Sequence, residues 1–161
     1  MTDERIRVVE QGYDVLADRF LEWSQRVEDD PRPRLVERFM EALPDGAAVV
    51  DLGCGAGVPT TARLAERFAV TGVDVSAEQL RRARVLVPRA RFVHADMTGF
   101  DPGEGSVDGV TACYSLTHSE PAAATGAAGG WASRCSSRAS TRTRRARRSR
   151  TPALRSSSTR P

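Results

Sequence analysis

The residues best suited to chemistry are three aspartates set against a run of glycines. Asp51 stands two positions before the first of three alternating glycines, in the stretch Asp51-Leu52-Gly53-Cys54-Gly55-Ala56-Gly57. Such a loop lets a ligand approach the backbone and exposes N–H groups at the start of the helix that follows. It departs from the Gly-x-Gly-x-x-Gly pattern of dinucleotide-binding loops, because Val58 stands where the third glycine belongs. An acid beside the loop would repel a pyrophosphate and attract a cation. Both features disfavour a nicotinamide-dependent oxidoreductase. Asp74 and Asp96 follow at the ends of two later predicted strands, Ala69 to Val73 and Arg91 to His94. His118 is a candidate general base by location, and Cys54 reads as a small loop residue. Cys54, Cys113 and Cys135 are widely spaced, and the histidines are His94 and His118, so neither a zinc site nor a disulfide framework is expected.

The elements that must position these groups follow from periodicity. From Thr2 to Val27, the residues Ile6, Val9, Tyr13, Leu16, Phe20, Trp23 and Val27 recur every three or four positions, which predicts an amphipathic helix. Asp29-Asp30-Pro31-Arg32-Pro33 stops it. A shorter helix is expected next, with Leu35, Val36, Phe39, Met40 and Leu43 turned inward. Ala47 to Leu52 then has the look of a buried parallel strand. A helix from Pro59 to Phe68 and a strand from Ala69 to Val73 come after the glycine loop. Ser76 is placed to cap the next helix with Gln79 at the capping-box position, and with Leu80, Ala83 and Leu86 facing the sheet. Arg91 to His94 and Val107 to Leu116 supply a third and a fourth strand. Strands alternating with helices imply right-handed crossovers and a parallel sheet.

In this order the motifs resemble a class I S-adenosylmethionine-dependent methyltransferase of the small-molecule type, over roughly residues 10–118. The resemblance implies an α/β fold, a Rossmann-like three-layer sandwich, here with strands 1–4 only. It implies S-adenosylmethionine as cofactor and a small molecule as methyl acceptor. Asp51, Gly53, Cys54 and Gly55 match the family's first motif, which wraps the methionine part of the cofactor. Asp74, followed by Val75, matches the acid that grips both ribose hydroxyls, and a carboxylate can accept two hydrogen bonds in parallel. Asp96 and Met97 match the adenine site. Tyr13 matches the N-terminal cap, and Tyr114 lies in the segment lining the methyl-donor and acceptor region. The implied reaction is displacement of the sulfonium methyl by a nucleophile held in line, with positioning supplying most of the rate.

Composition divides the chain. All 24 basic residues are arginine, and the net charge of +3 is a cancellation. Residues 1–121 hold all 21 acids and carry a net −7, whereas residues 122–161 hold ten arginines and carry +10. The reading therefore assigns cap helices to residues 1–43, a partial cofactor-binding core to 44–121 and a disordered arginine-, serine- and alanine-rich tail to 122–161. Two accounts of the tail compete. It is either a basic arm that binds nucleic acid non-specifically, making the chain a non-catalytic binding module, or an out-of-frame reading of a GC-rich gene that truncates the enzyme and puts its activity in doubt. The second explains why the strand-and-helix pattern stops halfway. No apolar run approaches the roughly 18 residues of a membrane span, no signal peptide is expected, and a cytoplasmic location follows. On the frameshift account, the nucleotide sequence across codons 115–125 contains a second frame that restores a strand-and-helix pattern after His118. Sequencing that shows no such frame would leave the basic arm.

Overall fold

A computed structural model describes residues 3–24, 26–103 and 105–116. The elements run α1 (Asp3–Ser24), α2 (Arg32–Glu41), β1 (Ala48–Leu52), α3 (Thr60–Ala65), β2 (Ala69–Asp74), α4 (Ala77–Leu86), β3 (Arg91–His94) and β4 (Gly109–Thr111). The four strands form one parallel sheet in the order β3-β2-β1-β4. This is the parallel sheet expected from the alternating pattern, in the Rossmann-like arrangement that the resemblance implies. Because β1 is central and β2 and β4 flank it, the ends of all four strands open onto one edge of the sheet.

The two sheet faces are built from alternate residues. Val49 and Val70 share a face with Val36 and Met40 of α2 and Leu64 of α3, all buried, and Phe39 and Leu43 pack against this cluster. Val50, Leu52 and Val73 point the other way and are covered by Val107, Ala95, Met97 and Phe100. The first cluster anchors the helices. The second brings the segment after β3, which carries Asp96, against the sheet.

Several expected faces are rotated. In α1 the buried residues are Ala17 and Ser24, while Leu16 and Trp23 are exposed. At about 100° per residue, Tyr13, Ala17, Phe20 and Ser24 form one narrow stripe, and Leu16 and Trp23 fall off its edge. The same arithmetic exposes Leu35 on α2 and Leu86 on α4, while Val87, just past the end of α4, is buried. Strand β4 is also shorter than the predicted Val107–Leu116. Its pairing with β1 runs from Gly109 to Thr111. Just before it, the Asp108 side chain accepts the Ala48 N–H at 2.8 Å. Just after it, Tyr114 adopts φ 59°, a left-handed conformation that no strand can continue through.

Helix α1 is fastened to α4 by polar contacts. The Asp14 carboxylate accepts the Ser76 hydroxyl and the Glu78 N–H, the latter at 3.1 Å, and Arg82 donates to Asp18 at 2.8 Å. Asp14 thus serves as an extra cap on the α4 N-terminus, contributed by a helix 62 positions away. Asp14→Ala is expected to cost about 1–2 kcal/mol in chemical denaturation. Amide exchange should quicken in α1 while the strands stay protected; uniform loss of protection across the sheet would contradict this fastening role.

Candidate functional site

A cleft enclosing roughly 1060 Å³ of space, part of it open solvent, lies along the carboxyl ends of the strands and under α1. Its wall contains Tyr13, Asp51, Gly53, Cys54, Gly55, Asp74, Val75, Asp96, Met97 and Tyr114, so every residue assigned to the cofactor from sequence borders one space. Each arrives on a different element. Asp51 is near the end of β1 and Asp74 ends β2. Asp96 follows β3, Tyr114 follows β4, and Tyr13 comes from α1. His118 lies outside the described residues, as does the segment 122–161.

The glycine loop is held from both sides. The N–H groups of Gly53 and Cys54 both donate to the Val73 carbonyl, at 2.7 and 3.1 Å. Gly55 donates to Asp74 Oδ2 at 2.8 Å, and Asp74 Oδ1 accepts the Ser76 N–H at 2.9 Å. Gly53 and Gly55 take φ 66° and 54°, and a Cβ on Gly53 would meet the Ser115 Cβ at 2.1 Å. Both conformation and proximity therefore require glycine at position 53. The Asp96 carboxylate accepts the Thr98 N–H at 3.1 Å and the Thr98 hydroxyl, which fixes its position just after β3.

The three aspartates differ in environment. Asp51 is 2% exposed, and its oxygens accept the hydroxyls of Thr61 at 2.6 Å and Thr111 at 2.8 Å. Burial pushes its carboxyl up to about 6 in spite of those two hydrogen bonds. Asp74 is also raised by burial, opposed by the N–H groups of Ser76 and Gly55. Tyr13 is raised by burial and then by the nearby Asp74 charge. Burial raises the thiols of Cys54 and Cys113 above their ordinary value, Cys54 the more strongly, which disfavours a thiolate at either position.

Sequence reasoning missed four groups here. Gln79 was read as half of a capping box. Ser76 Oγ does accept the Gln79 N–H at 3.1 Å, but Asp74 already takes the Ser76 N–H, so the Gln79 side chain does not turn back. It faces the cleft instead, 1% exposed, with no hydrogen-bond partner for either amide atom. Ser115 Oγ is likewise buried without a partner. Thr61 and Thr111, which hold Asp51, are separated from it by 10 and 60 positions, and no local pattern marks them. Only Gln79 carried a signal, since a glutamine on the α4 face shared with Leu80 and Ala83 is out of place unless something polar meets it.

A profile for the family described as "Methyltransferase domain" matches residues 49–135, more than half of the chain. The chain belongs to that family. Among methyltransferase relatives, trans-aconitate 2-methyltransferase of Paracidovorax citrulli is 44% identical over 82 residues, covering 48% of this chain and 31% of that protein. The enzyme of the same name from Enterobacter sp. is 44% identical over 89 residues, covering 53% and 34%. The matched stretch thus spans about a third of the length of these relatives. Among solved structures, DhpI in its SAH complex superposes with a TM-score of 0.69 at 21% identity, covering 83% of this chain and 65% of that one. SAM-bound CalS10, an amino pentose methyltransferase from Micromonospora echinaspora, gives a TM-score of 0.54 at 28% identity, covering 69% and 47%. The fold is therefore the methyltransferase fold. No described helix is long and apolar enough to cross a membrane, and no metal-binding cluster of His, Cys, Asp and Glu occurs among the described residues.

The Asp51 environment has a measurable consequence. An unfolded Asp titrates near about 3.9 and the folded one near 6, so between those values the folded state holds the extra proton. Stability from this group is therefore present at about pH 4 and lost as pH rises through 6, an effect on the order of 3 kcal/mol. Asp51→Asn removes the titration. Its stability relative to the parent chain should rise by that order between about pH 4 and 7, measured by urea denaturation. A difference that does not change with pH would place the Asp51 titration elsewhere.

Proposed function

We propose that the chain binds S-adenosylmethionine in this cleft and is built to transfer its methyl group to a small molecule. The observation that carries the reading is the convergence of Asp51, Asp74 and Asp96, from the ends of three adjacent strands, on one cleft with the glycine loop between them. That edge is where open parallel sheets bind ligands. Structural neighbours solved with SAM or SAH bound support the same cofactor.

The residues present fit this cofactor. The cleft offers carboxylate acceptors for hydroxyl and amine donors, apolar side chains at Val75 and Met97 for a flat ring, and the unpartnered buried amide of Gln79. An acid-lined site also suits a sulfonium cation, which Coulomb attraction would hold more firmly than it would in bulk water. On the family pattern, Asp96 and Met97 take the adenine, Asp74 the ribose hydroxyls, and Asp51 with Gly53 to Gly55 the methionine part. Asp51 acts through its charge and through the loop it supports, since two threonine hydroxyls already occupy its oxygens. Tyr13 closes the cleft from α1.

When bound, S-adenosylmethionine supplies a methyl group already activated by its positive sulfur. The task left to this chain's residues is orientation and the exclusion of water. Tyr13, Phe20 and Leu21 cover the cleft from α1 and serve the second purpose. The acceptor we propose is a small molecule, in keeping with the trans-aconitate and amino pentose enzymes named among the relatives.

Calorimetric titration of the full chain with S-adenosylhomocysteine tests the reading. Binding is expected at one site, and Asp74→Ala should weaken it about ten- to a hundredfold by removing acceptors for two hydroxyls and releasing Gly55. A folded chain that takes up no S-adenosylhomocysteine would refute the proposal.

A further inference from the structure

Helix α1 crosses the open ends of the strands from one side of the sheet to the other. Toward its start, the Glu10 carboxylate lies 3.4 Å from His94 Nε2, at the end of β3. One turn further on, Asp14 accepts the Ser76 hydroxyl and the Glu78 N–H, just beyond the end of β2. At its last turn, the Ser24 carbonyl accepts Arg32 Nη2 at 2.9 Å, and the Arg32 guanidinium lies 5.0 Å from the centre of the Tyr114 ring, after β4. With the strands in the order β3-β2-β1-β4, the start of α1 therefore roofs one end of the cleft and its last turn roofs the other. The contacts proposed above for the cofactor's adenine, ribose and methionine parts lie along β3, β2 and β1. They leave the roof over the β4 end to another molecule.

The wall at that end is apolar and aromatic. Phe20 and Leu21 come from α1, and Tyr114 from the exit of β4. Phe20 belongs to a row of rings along α1: its centroid lies 5.3 Å from that of Tyr13, edge to face, and 5.5 Å from that of Trp23. Trp23 is exposed, so the row continues from the cleft onto its rim. Rings so placed offer flat surface to a second ring, stacked or edge-on. Charge narrows the range of occupants further. Among the described residues that line the cleft, the acids are Asp51, Asp74 and Asp96, and Arg32 is the only cation. That cation is already matched, since Arg32 Nε donates to Asp30 Oδ2 at 2.6 Å. A ligand with several carboxylates would meet three aspartates and no unmatched cation, and like charges repel more strongly in a partly buried site than in bulk water.

Resting on the cofactor reading above, we infer that the methyl acceptor is an uncharged aromatic molecule, seated at the β4 end of the cleft between Phe20 and Leu21 of α1 and the Tyr114 ring. This separates the chain from the relatives whose name carries trans-aconitate, a tricarboxylate. The choice between the two classes of acceptor lies in the aspartates that repel an anion and in the aromatic wall that receives a flat ring.

The test titrates the full chain, saturated with S-adenosylhomocysteine, with 2-naphthol, 2-naphthoate and trans-aconitate in a calorimeter near neutral pH. The first two share one ring system and differ in charge. 2-Naphthol should bind, 2-naphthoate should bind at least about tenfold more weakly, and trans-aconitate should not bind. Phe20→Ala should weaken 2-naphthol about tenfold, and Phe20→Leu, which keeps apolar bulk without the ring, by less. Bound S-adenosylhomocysteine shows in each case that the variant is folded. Binding of either carboxylate as tight as that of 2-naphthol overturns the inference. So does 2-naphthol binding that both Phe20 variants leave unchanged. A chain that holds S-adenosylhomocysteine and takes up no 2-naphthol overturns it too, and leaves the cofactor reading standing. A chain that binds no S-adenosylhomocysteine is a different result, which removes the cofactor reading and this inference with it.

Discussion

The Asp74 carboxylate joins parts of the molecule that would otherwise move independently. One oxygen accepts the Gly55 N–H from the loop after β1, and the other accepts the Ser76 N–H from the turn before α4. Ser76 in turn donates its hydroxyl to Asp14 on α1 while accepting the Gln79 N–H. A continuous hydrogen-bonded path therefore runs from the glycine loop, through the end of β2, to the helix that roofs the cleft. Charge-assisted bonds of this kind are shorter and stronger than neutral ones, and burial removes the competition from water.

The path explains why the loop has its shape. Gly53 and Cys54 turn their N–H groups back to the Val73 carbonyl, so the loop is pulled across the top of β2 and cannot follow the direction of β1. That turn puts Gly53 against Ser115, the residue following the left-handed Tyr114. The loop after β1 and the exit from β4 are thus in contact, and the cleft floor is closed between the two strands. Its roof is set by the other end of the path, since Asp14 and Tyr13 are consecutive on α1. Docking Asp14 on the α4 N-terminus orients the helix whose Tyr13 borders the cleft.

What was legible in the sequence was whatever leaves a local trace. Periodicity marked the long first helix because a face is written at fixed spacing, short runs between turn residues marked the strands, and the aspartates were visible because each stands at the end of a predicted strand. The errors came from partners distant in the chain. Leu16, Trp23, Leu35 and Leu86 satisfy a helical repeat, but the buried stripe is set by the neighbouring element and is narrower than the apolar face. The fourth strand was overextended because apolar composition continues past Thr111, whereas pairing depends on β1 and ends with it. Gln79 shows the same limit in reverse. Its position three residues after Ser76 satisfied the capping-box pattern, but the acceptor role had already been taken by Asp74, two residues before Ser76. Arg32 read as part of a helix stop, because nothing in Asp30-Pro31-Arg32 says that the guanidinium folds inward onto Tyr114.

Charge decides which ligand such a loop can serve. Backbone N–H groups around glycines are suited to phosphate in many parallel-sheet proteins, and loop geometry alone does not distinguish those sites. Here the N–H groups of Gly53, Cys54 and Gly55 are already given to Val73 and Asp74. They are therefore spent inside the protein and do not form an anion cradle. Asp51 and Asp74 beneath them add negative charge where a pyrophosphate would need positive. Asp51 carries that charge at a desolvation cost visible in its raised pKa, and it can be afforded only because Thr61 and Thr111 supply hydroxyls. A buried acid so supported, near the end of the strand that leads into the loop, is an improbable accident if that loop serves only as a turn. It favours a ligand that is cationic near β1, polar over β2 and flat over β3.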